Sequence, residues 1–142
     1  MFALSMLEEF ILDILNGYRT CDVRLHTSSK IGKIGLIKSK TNLLYGYVEF
    51  VSIEQITYEE YVYWHVGKNY SFADSEEYIH KSCMKNKMNR AYKYNFINPV
   101  LLDVPIKVSI KNKNGSWIEY DERLNKIGYK KIELFNNTWY NI

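Results

Sequence analysis

Near its start, the chain carries an apolar stripe with the period of an α-helix. Its members follow the i, i+3, i+4, i+7, i+8 spacing of one buried helix face. The stripe consists of Leu7, Phe10, Ile11, Ile14 and Leu15. Ser5 with Glu8 forms a capping-box pattern at the start of the stripe, and Gly17 stands where a helix commonly ends. The pattern therefore predicts a short amphipathic helix between these residues.

Beyond this helix, alternating polar and apolar positions predict mostly strands. The predicted strands are residues 20–25, 33–38, 45–53, 92–97, 104–110, 116–120 and 130–135. Thr57 with Glu60 is a second capping box, and Asp74 with Glu77 is a similar start signal, so each is expected to open a further short helix. Asn114-Gly115 predicts a hairpin turn between two of the later strands.

These elements predict an α+β fold in a single domain that spans residues 1–142. The strands outnumber the helices and are too short for a doubly wound parallel sheet. The expected architecture is a small, partly open β-barrel flanked by about three short helices. The sequence contains no internal repeat, low-complexity tract or linker, which agrees with one domain.

The segment that follows the first helix combines charged residues with an apolar face. It runs Gly-Tyr-Arg-Thr-Cys-Asp-Val-Arg over residues 17–24. Side chains alternate along a strand, so Thr20, Asp22 and Arg24 are expected on one face and Val23 in the core. Arginine offers a planar fork for phosphate or base edges, and aspartate can orient that fork and accept from an exocyclic amine. The segment predicts a recognition surface, with a solvated ion pair as the alternative.

The same residues resemble a family signature. Gly17, Arg19, Asp22 and Arg24 match the pattern Gly-x-(Lys/Arg)-x-x-(Glu/Asp)-x-Arg of ASCH domains, small relatives of the PUA-type RNA-binding barrels. Arg replaces the usual Lys of that pattern, and Asp replaces the usual Glu. The resemblance implies a PUA-like module that binds RNA or a nucleotide in a charged cleft beside the first helix, with the three charged residues at the cleft floor.

The resemblance extends over roughly residues 5–120. Residues 46–50, 98–99 and 105–106 look like later strands of the family. Residues 121–142 are then expected to form a C-terminal strand extension.

Several residues outside the motif are predicted to contact the same ligand. The full predicted set is Arg19, Thr20, Asp22, Arg24, Ser39, Lys40, Lys85, Lys87, Arg90 and Tyr94. Ser39 and Lys40 end a lysine-rich strand, where a loop could approach a ligand. The last four stand at and after the end of the third predicted helix, and basic residues interleaved with tyrosines are typical of surfaces that bind single-stranded RNA. A solvated charged face is the alternative for this basic run.

Two other functions stay open. One ASCH branch hydrolyses the acyl group of N4-acylcytidine nucleosides with a Lys, a Thr and a later Glu, and other branches are linked to ribonuclease activity. Arg19, Asp22 and Asn69 align with those three positions, so little amidohydrolase activity is expected. Arginine stays protonated, and a carboxylate would repel the oxyanion of acyl transfer. The third possibility is an interaction module without a ligand.

Composition narrows the classes of partner. A hydrophobic fraction of 46% with 25% charged residues argues against disorder, and a net charge of +3 permits a nucleic-acid partner without requiring one. Two cysteines make no disulfide framework and no segment approaches a membrane span, so we expect a cytoplasmic protein with no membrane partner. His80-x-x-Cys83 lacks a second ligand pair, so no metal or cofactor is expected. Nothing in the sequence indicates the oligomeric state.

Overall fold

The computed structural model of the chain describes residues 1–57, 60–61, 63–64 and 90–121. In chain order, the elements within these residues are β1 Phe2–Met6, α1 Glu8–Leu15, β2 Cys21–Arg24, β3 Gly32–Lys38, β4 Leu43–Thr57, β5 Arg90–Lys107, β6 Ile110–Asn114 and β7 Trp117–Tyr120. The strands form one sheet in the order β2-β5-β4-β3-β1-β7-β6, with β2 and β6 at its ends. Over the described residues the fold is therefore mostly β with an open strand order.

Helix α1 forms where the apolar stripe predicts it, but its start differs from the prediction. Four stripe residues are buried: Phe10, Ile11, Ile14 and Leu15. The N-cap is Leu7, which makes no side-chain capping bond, so the predicted Ser5–Glu8 capping box is wrong. Ser5 belongs instead to β1, where strand pairing fixes its backbone. At the other end, Gly17 takes a φ of +82° and its N–H donates to the Ile14 carbonyl, as a helix-terminating glycine does.

Strand β1 was not predicted, because its apolar residues run directly into the helical stripe. It lies between β3, to which it is parallel, and β7, to which it is antiparallel. Ala3 pairs with Gly35 on one side and with Ile118 on the other. The position of β1 in the sheet depends on pairing with segments that are distant in sequence, and a local sequence pattern cannot reveal such pairing.

Strand β5 is longer than either of the two strands predicted from its sequence. Residues 92–97 and 104–107 belong to one continuous strand that passes through Pro99 and Pro105. Asn98, just before the first proline, takes a φ of +52°, a conformation that asparagine tolerates better than most residues. The predicted hairpin is confirmed: β6 and β7 pair across a turn in which Gly115 has a φ of +61°.

The predicted count of about three helices is not supported, since one complete helix lies within the described residues. The second capping box does form: Glu60 N–H donates to Thr57 Oγ1 at 3.2 Å, and Thr57 N–H donates to Glu60 Oε1 at 3.4 Å. The described residues that follow, 60–61 and 63–64, are helical. The third predicted helix, over residues 78–89, and the predicted strand 130–135 lie outside the described residues.

The described chain divides into two compact units. Unit 1 contains residues 1–19, 32–49 and 97–121, and its core is built from Ala3, Ile37, Leu44, Leu102, Ile106, Val108, Ile118 and Tyr120. Unit 2 contains residues 20–31, 50–57 and 90–96 with the helical residues that follow β4, and one of its clusters is built from Val23, Ile56, Tyr61 and Ala91. The prediction of a single domain over residues 1–142 stays a prediction.

Candidate functional site

Two charged residues are buried in the part of the chain that the structure describes, and both belong to the motif after α1. Arg19 is 5% exposed and Asp22 is 3% exposed. Burial of a charge costs several kcal/mol unless other groups compensate for the lost hydration. Buried charged residues are more common at functional sites than in ordinary hydrophobic cores, so these two residues mark the candidate site.

Asp22 is held by an ion pair within β2. Arg24 Nε donates to Asp22 Oδ2 at 2.7 Å, and the Arg24 side chain is 20% exposed. The two residues are separated by one position on the strand, so their side chains lie on the same face, as the alternation predicts. The bond uses Nε and therefore fixes the plane of the guanidinium. The two Nη groups form the far end of that plane.

The face that carries this pair is largely shielded from water at Asp22 and partly exposed at Arg24. Asp22 lies opposite Tyr94 of β5 in the antiparallel register, and that ring stacks on Phe50 with centroids 4.9 Å apart. Phe96 packs edge-on against the same Phe50 ring. Asp22 is thus a cross-strand neighbour of a buried aromatic cluster and is itself 3% exposed, and Val23, on the opposite face of β2, belongs to a hydrophobic cluster and is 2% exposed. Both faces of the strand are therefore buried at Asp22.

Tyr94 is itself a core residue. It is 1% exposed, and its hydroxyl donates to the carbonyl of His26. Its ring faces Phe50, so the structure corrects the expectation that Tyr94 presents an exposed ring for stacking. The half-buried tyrosine of β5 is Tyr92, which lies directly opposite Arg24 in the register. Cross-strand partners of this kind have side chains within reach of each other.

Tyr92 is not among the site residues predicted from the sequence. Residues 24 and 92 are far apart in the chain, and only the β2–β5 register makes them neighbours. Alternation within β5 puts Tyr92 and Tyr94 on the same face, so it gives no reason to prefer one tyrosine to the other. The missing signal is thus the pairing of the two strands.

Arg19 belongs to unit 1, whereas Asp22 and Arg24 belong to unit 2. Its guanidinium carbon lies 5.3 Å from the centroid of the Phe10 ring, in a cation–π contact with α1. Its backbone N–H and that of Tyr18 both donate to the Asp13 carbonyl, at 3.1 and 2.9 Å. The end of α1 therefore fixes the backbone on which this arginine stands.

Three further predicted site residues lie at strand ends. Thr20 is exposed before β2, and its carbonyl accepts from the Phe96 N–H at 2.9 Å. Ser39 and Lys40 follow β3 in unit 1; the Ser39 hydroxyl lies 3.3 Å from that of Ser5, and Lys40 is exposed with a φ of +64°. A lysine in the left-handed region is uncommon and marks a tightly constrained turn.

The remaining predicted residues belong to the basic run. Lys85 and Lys87 lie outside the described residues, and Arg90 is described by its backbone alone, as the first residue of β5. Their role as contacts to an RNA backbone stays a prediction. Among the described residues, no group of three His, Cys, Asp or Glu side chains is placed to hold a metal ion. No helix within the same residues combines the length and hydropathy needed to span a bilayer.

Solved structures of an ASCH protein from Zymomonas mobilis are similar to this chain over nearly its whole length. A Ser-to-Ala variant aligns with a TM-score of 0.63 at 13% identity, over 94% of each chain. The unsubstituted protein aligns with a TM-score of 0.56 at 12% identity, over 92% of this chain and 94% of that one. A Tyr-to-Phe variant gives 0.55 at 13% identity, over 94% and 96%. The chain has the ASCH fold.

The predicted resemblance to ASCH domains is thus confirmed at the level of the fold. No family model matches the sequence, and no curated protein matches it significantly. Beyond the short motif of residues 17–24, the similarity therefore rests on the three-dimensional arrangement, at 12–13% sequence identity.

In this ASCH fold, a polar cluster ties the start of α1 to the sheet of unit 1. The Tyr45 hydroxyl donates to Glu8 Oε2 at 2.6 Å, and Lys38 Nζ lies 3.2 Å from the same oxygen. The hydrogen bond from Tyr45, followed by the contact with Lys38, lowers the pKa of Glu8. The bond to this carboxylate, together with burial, raises the pKa of Tyr45 to about 12. The cluster stabilises the charged carboxylate and the neutral phenol.

Tyr45→Phe is expected to remove a contribution to stability that depends on pH. The pKa of Tyr45, about 12 in the folded protein, lies above its unfolded value of about 10. The contribution is therefore complete below pH ~10 and is lost as the pH rises towards the folded value. The wild type should lose thermal stability over this range more steeply than Tyr45→Phe, which should unfold a few degrees lower at neutral pH.

Unfolding temperatures of both proteins, measured from neutral to strongly alkaline pH, test this expectation. Tyr63→Phe serves as the control, because it removes the hydroxyl of an exposed tyrosine. Parallel curves for wild type and Tyr45→Phe would contradict the assignment.

Proposed function

We propose that this protein binds RNA, or a nucleotide derived from RNA, through the Asp22–Arg24 pair of β2. The observation that carries the proposal is a buried carboxylate that positions a partly exposed guanidinium, 2.7 Å away, on the strand where the ASCH-type motif lies. Replacement of such a pair by apolar residues is often neutral or stabilising, so packing alone does not account for it.

The chemistry of the pair suits a phosphate or a base edge. A guanidinium presents parallel N–H donors whose spacing matches a phosphate or the acceptor edge of guanine. With its plane fixed through Nε by Asp22, Arg24 would lose little side-chain entropy on binding. Tyr92, half-buried and opposite Arg24, would add an aromatic contact to the same ligand.

The other predicted residues have supporting roles in this proposal. Thr20 would add a hydroxyl at the exposed start of β2. Lys85, Lys87 and Arg90 would contact the phosphate backbone of a longer strand, which gives affinity without sequence preference. A single nucleotide would then bind more weakly than an RNA strand of several nucleotides.

Arg24→Lys is the variant that tests the proposal. Lysine keeps a positive charge near the buried Asp22 but lacks the planar fork, so the fold should persist while recognition is lost. We expect affinity for a short single-stranded RNA of mixed sequence to fall about tenfold or more, which corresponds to roughly 1–3 kcal/mol for a bidentate contact. Fluorescence anisotropy at several salt concentrations measures the loss, and thermal unfolding reports on the fold.

Lys113→Ala is the matched control, because it removes one positive charge from the exposed strand β6. It should change affinity far less than Arg24→Lys. Equal losses for the two variants would mean that binding depends on net charge and would refute the site. RNA cleavage during the titration, abolished by Arg24→Lys, would replace the binding proposal with a ribonuclease.

A further inference from the structure

Tyr18 is presented to solvent on a constrained backbone. Its residue exposure is 84%, the highest among the large hydrophobic residues that the structure describes. Its N–H donates to the Asp13 carbonyl at 2.9 Å, in the same turn in which Gly17 N–H donates to Ile14. The neighbouring Arg19, fixed by the same Asp13 carbonyl, is buried. A single turn thus exposes one side chain of the motif and buries the next.

Gly17, the residue before this tyrosine, lies in an open part of the surface. Apart from its two chain neighbours, no residue has an atom within 4 Å of a Cβ built on Gly17, and both Asn16 and Gly17 are exposed. Gly17 has a φ of +82°, which a residue with a side chain would adopt only at a cost. The glycine therefore sets the direction of the turn, and the ring that follows it is exposed to solvent.

An exposed ring contributes little to the packing of unit 1, so the fold does not explain a tyrosine at this position. Single exposed apolar residues are ordinary on protein surfaces. This one differs because hydrogen bonds at the end of α1 already hold its backbone. A tyrosine has only two side-chain torsions to fix, so this side chain loses little conformational entropy when a ligand stacks on it.

We infer that Tyr18 is a stacking platform for an unpaired nucleobase, and that the ligand of this protein is therefore single-stranded RNA rather than duplex. The inference rests on the proposed function and adds to it the class of RNA and a residue outside the Asp22–Arg24 pair. Stacking on an aromatic side chain tolerates any base, so Tyr18 would favour unpaired over paired bases without selecting a sequence. A duplex keeps its bases stacked on each other and offers no face to the ring.

The test compares four proteins on three probes. The proteins are the wild type, Tyr18→Ala, Tyr18→Trp and the control Tyr63→Ala, which removes another exposed tyrosine, 64% exposed and located in unit 2. The probes are a fluorescein-labelled single-stranded RNA of about 12 nucleotides, the same strand with abasic residues throughout, and the corresponding RNA duplex. We expect Tyr18→Ala to weaken binding of the intact strand about 10-fold, from the usual strength of base–aromatic stacking. Tyr18→Trp should bind at least as well as the wild type, and Tyr63→Ala should bind like it.

Tyr18→Ala and the wild type should differ little on the abasic strand and on the duplex. The inference would be overturned if Tyr18→Ala bound the intact strand as tightly as the wild type does. It would also be overturned if Tyr18→Ala lost the same affinity on all three probes, because that result would indicate a contact with the RNA backbone. If Arg24→Lys still weakens binding in either case, the proposed function stands without the stacking role. If the wild type binds none of the probes at low salt, both are overturned. Thermal unfolding of each variant confirms that it is folded.

Discussion

Val23→Asp is expected to unfold unit 2. Val23 is buried between the aromatic and aliphatic side chains of Ile56, Tyr61 and Ala91. A carboxylate in this apolar cluster would lose its hydration without gaining a partner, at a cost of several kcal/mol. Such a cost is comparable with the total stability of a domain of this size, about 5–15 kcal/mol. Circular dichroism and thermal unfolding should show loss of the cooperative transition.

Thr20→Asp is the matched control for this substitution. It introduces the same carboxylate three residues earlier in the chain, at an exposed position just before β2. It should leave the unfolding temperature nearly unchanged. If Val23→Asp were tolerated as well as Thr20→Asp, the side chain of Val23 would not face the core, and the register of β2 against β5 would have to shift by one residue.

Gly46→Ala is the second substitution with a large expected effect. A Cβ at this position would overlap the carbonyl oxygen of Val100 and approach Leu15 Cδ1 to 2.8 Å. The first obstacle is backbone within β5, which cannot rotate away as a side chain can. Relief therefore requires that two neighbouring strands separate, and we expect a loss of roughly 3 kcal/mol or more in the free energy of unfolding. Chemical denaturation measures this loss.

Gly35→Ala provides the comparison within the same unit. A Cβ there would come within 2.6 Å of Leu44 Cδ1 and 3.0 Å of the Tyr120 hydroxyl, and both obstacles are ends of side chains. Those groups can move at a smaller cost, so Gly35→Ala should be less destabilising than Gly46→Ala. The reverse order would contradict the close approach of Val100 to β4.

Local signals predicted the elements whose causes are local. The stripe of α1, the reciprocal bonds of Thr57 with Glu60 and the glycine turn between β6 and β7 all arise from residues within a few positions of each other. The errors arise where distant segments decide. Ser5 has the spacing of a capping residue, yet pairing with β3 fixes it in β1. Pro99 marks a break in a local pattern, yet β5 continues through it.

The candidate site likewise has some features that follow from local sequence and others that depend on distant strands. Alternation along β2 places Asp22 and Arg24 on one face, and the structure joins them in an ion pair. Asp22 is buried and lies opposite Tyr94 of β5, a cross-strand neighbour that no short motif contains. The register with β5 also distinguishes Tyr92, opposite Arg24, from the buried Tyr94. The sequence therefore indicates which residues carry the charge, whereas the pairing of strands in the sheet determines the solvent exposure of those residues.

The place of β1 in the sheet has a consequence for synthesis of the protein on the ribosome. One edge of β1 can pair with β3 soon after residue 38 has been made, but the other edge waits for β7, which begins at Trp117. At about 5–20 residues per second, the intervening stretch of roughly 80 residues takes on the order of 4–16 s to translate. During that time the nascent chain exposes an unpaired, apolar strand edge, the kind of surface that templates aggregation. Completion of the sheet also closes a long loop, which slows folding. Chaperone dependence during translation should therefore be greatest before β7 emerges.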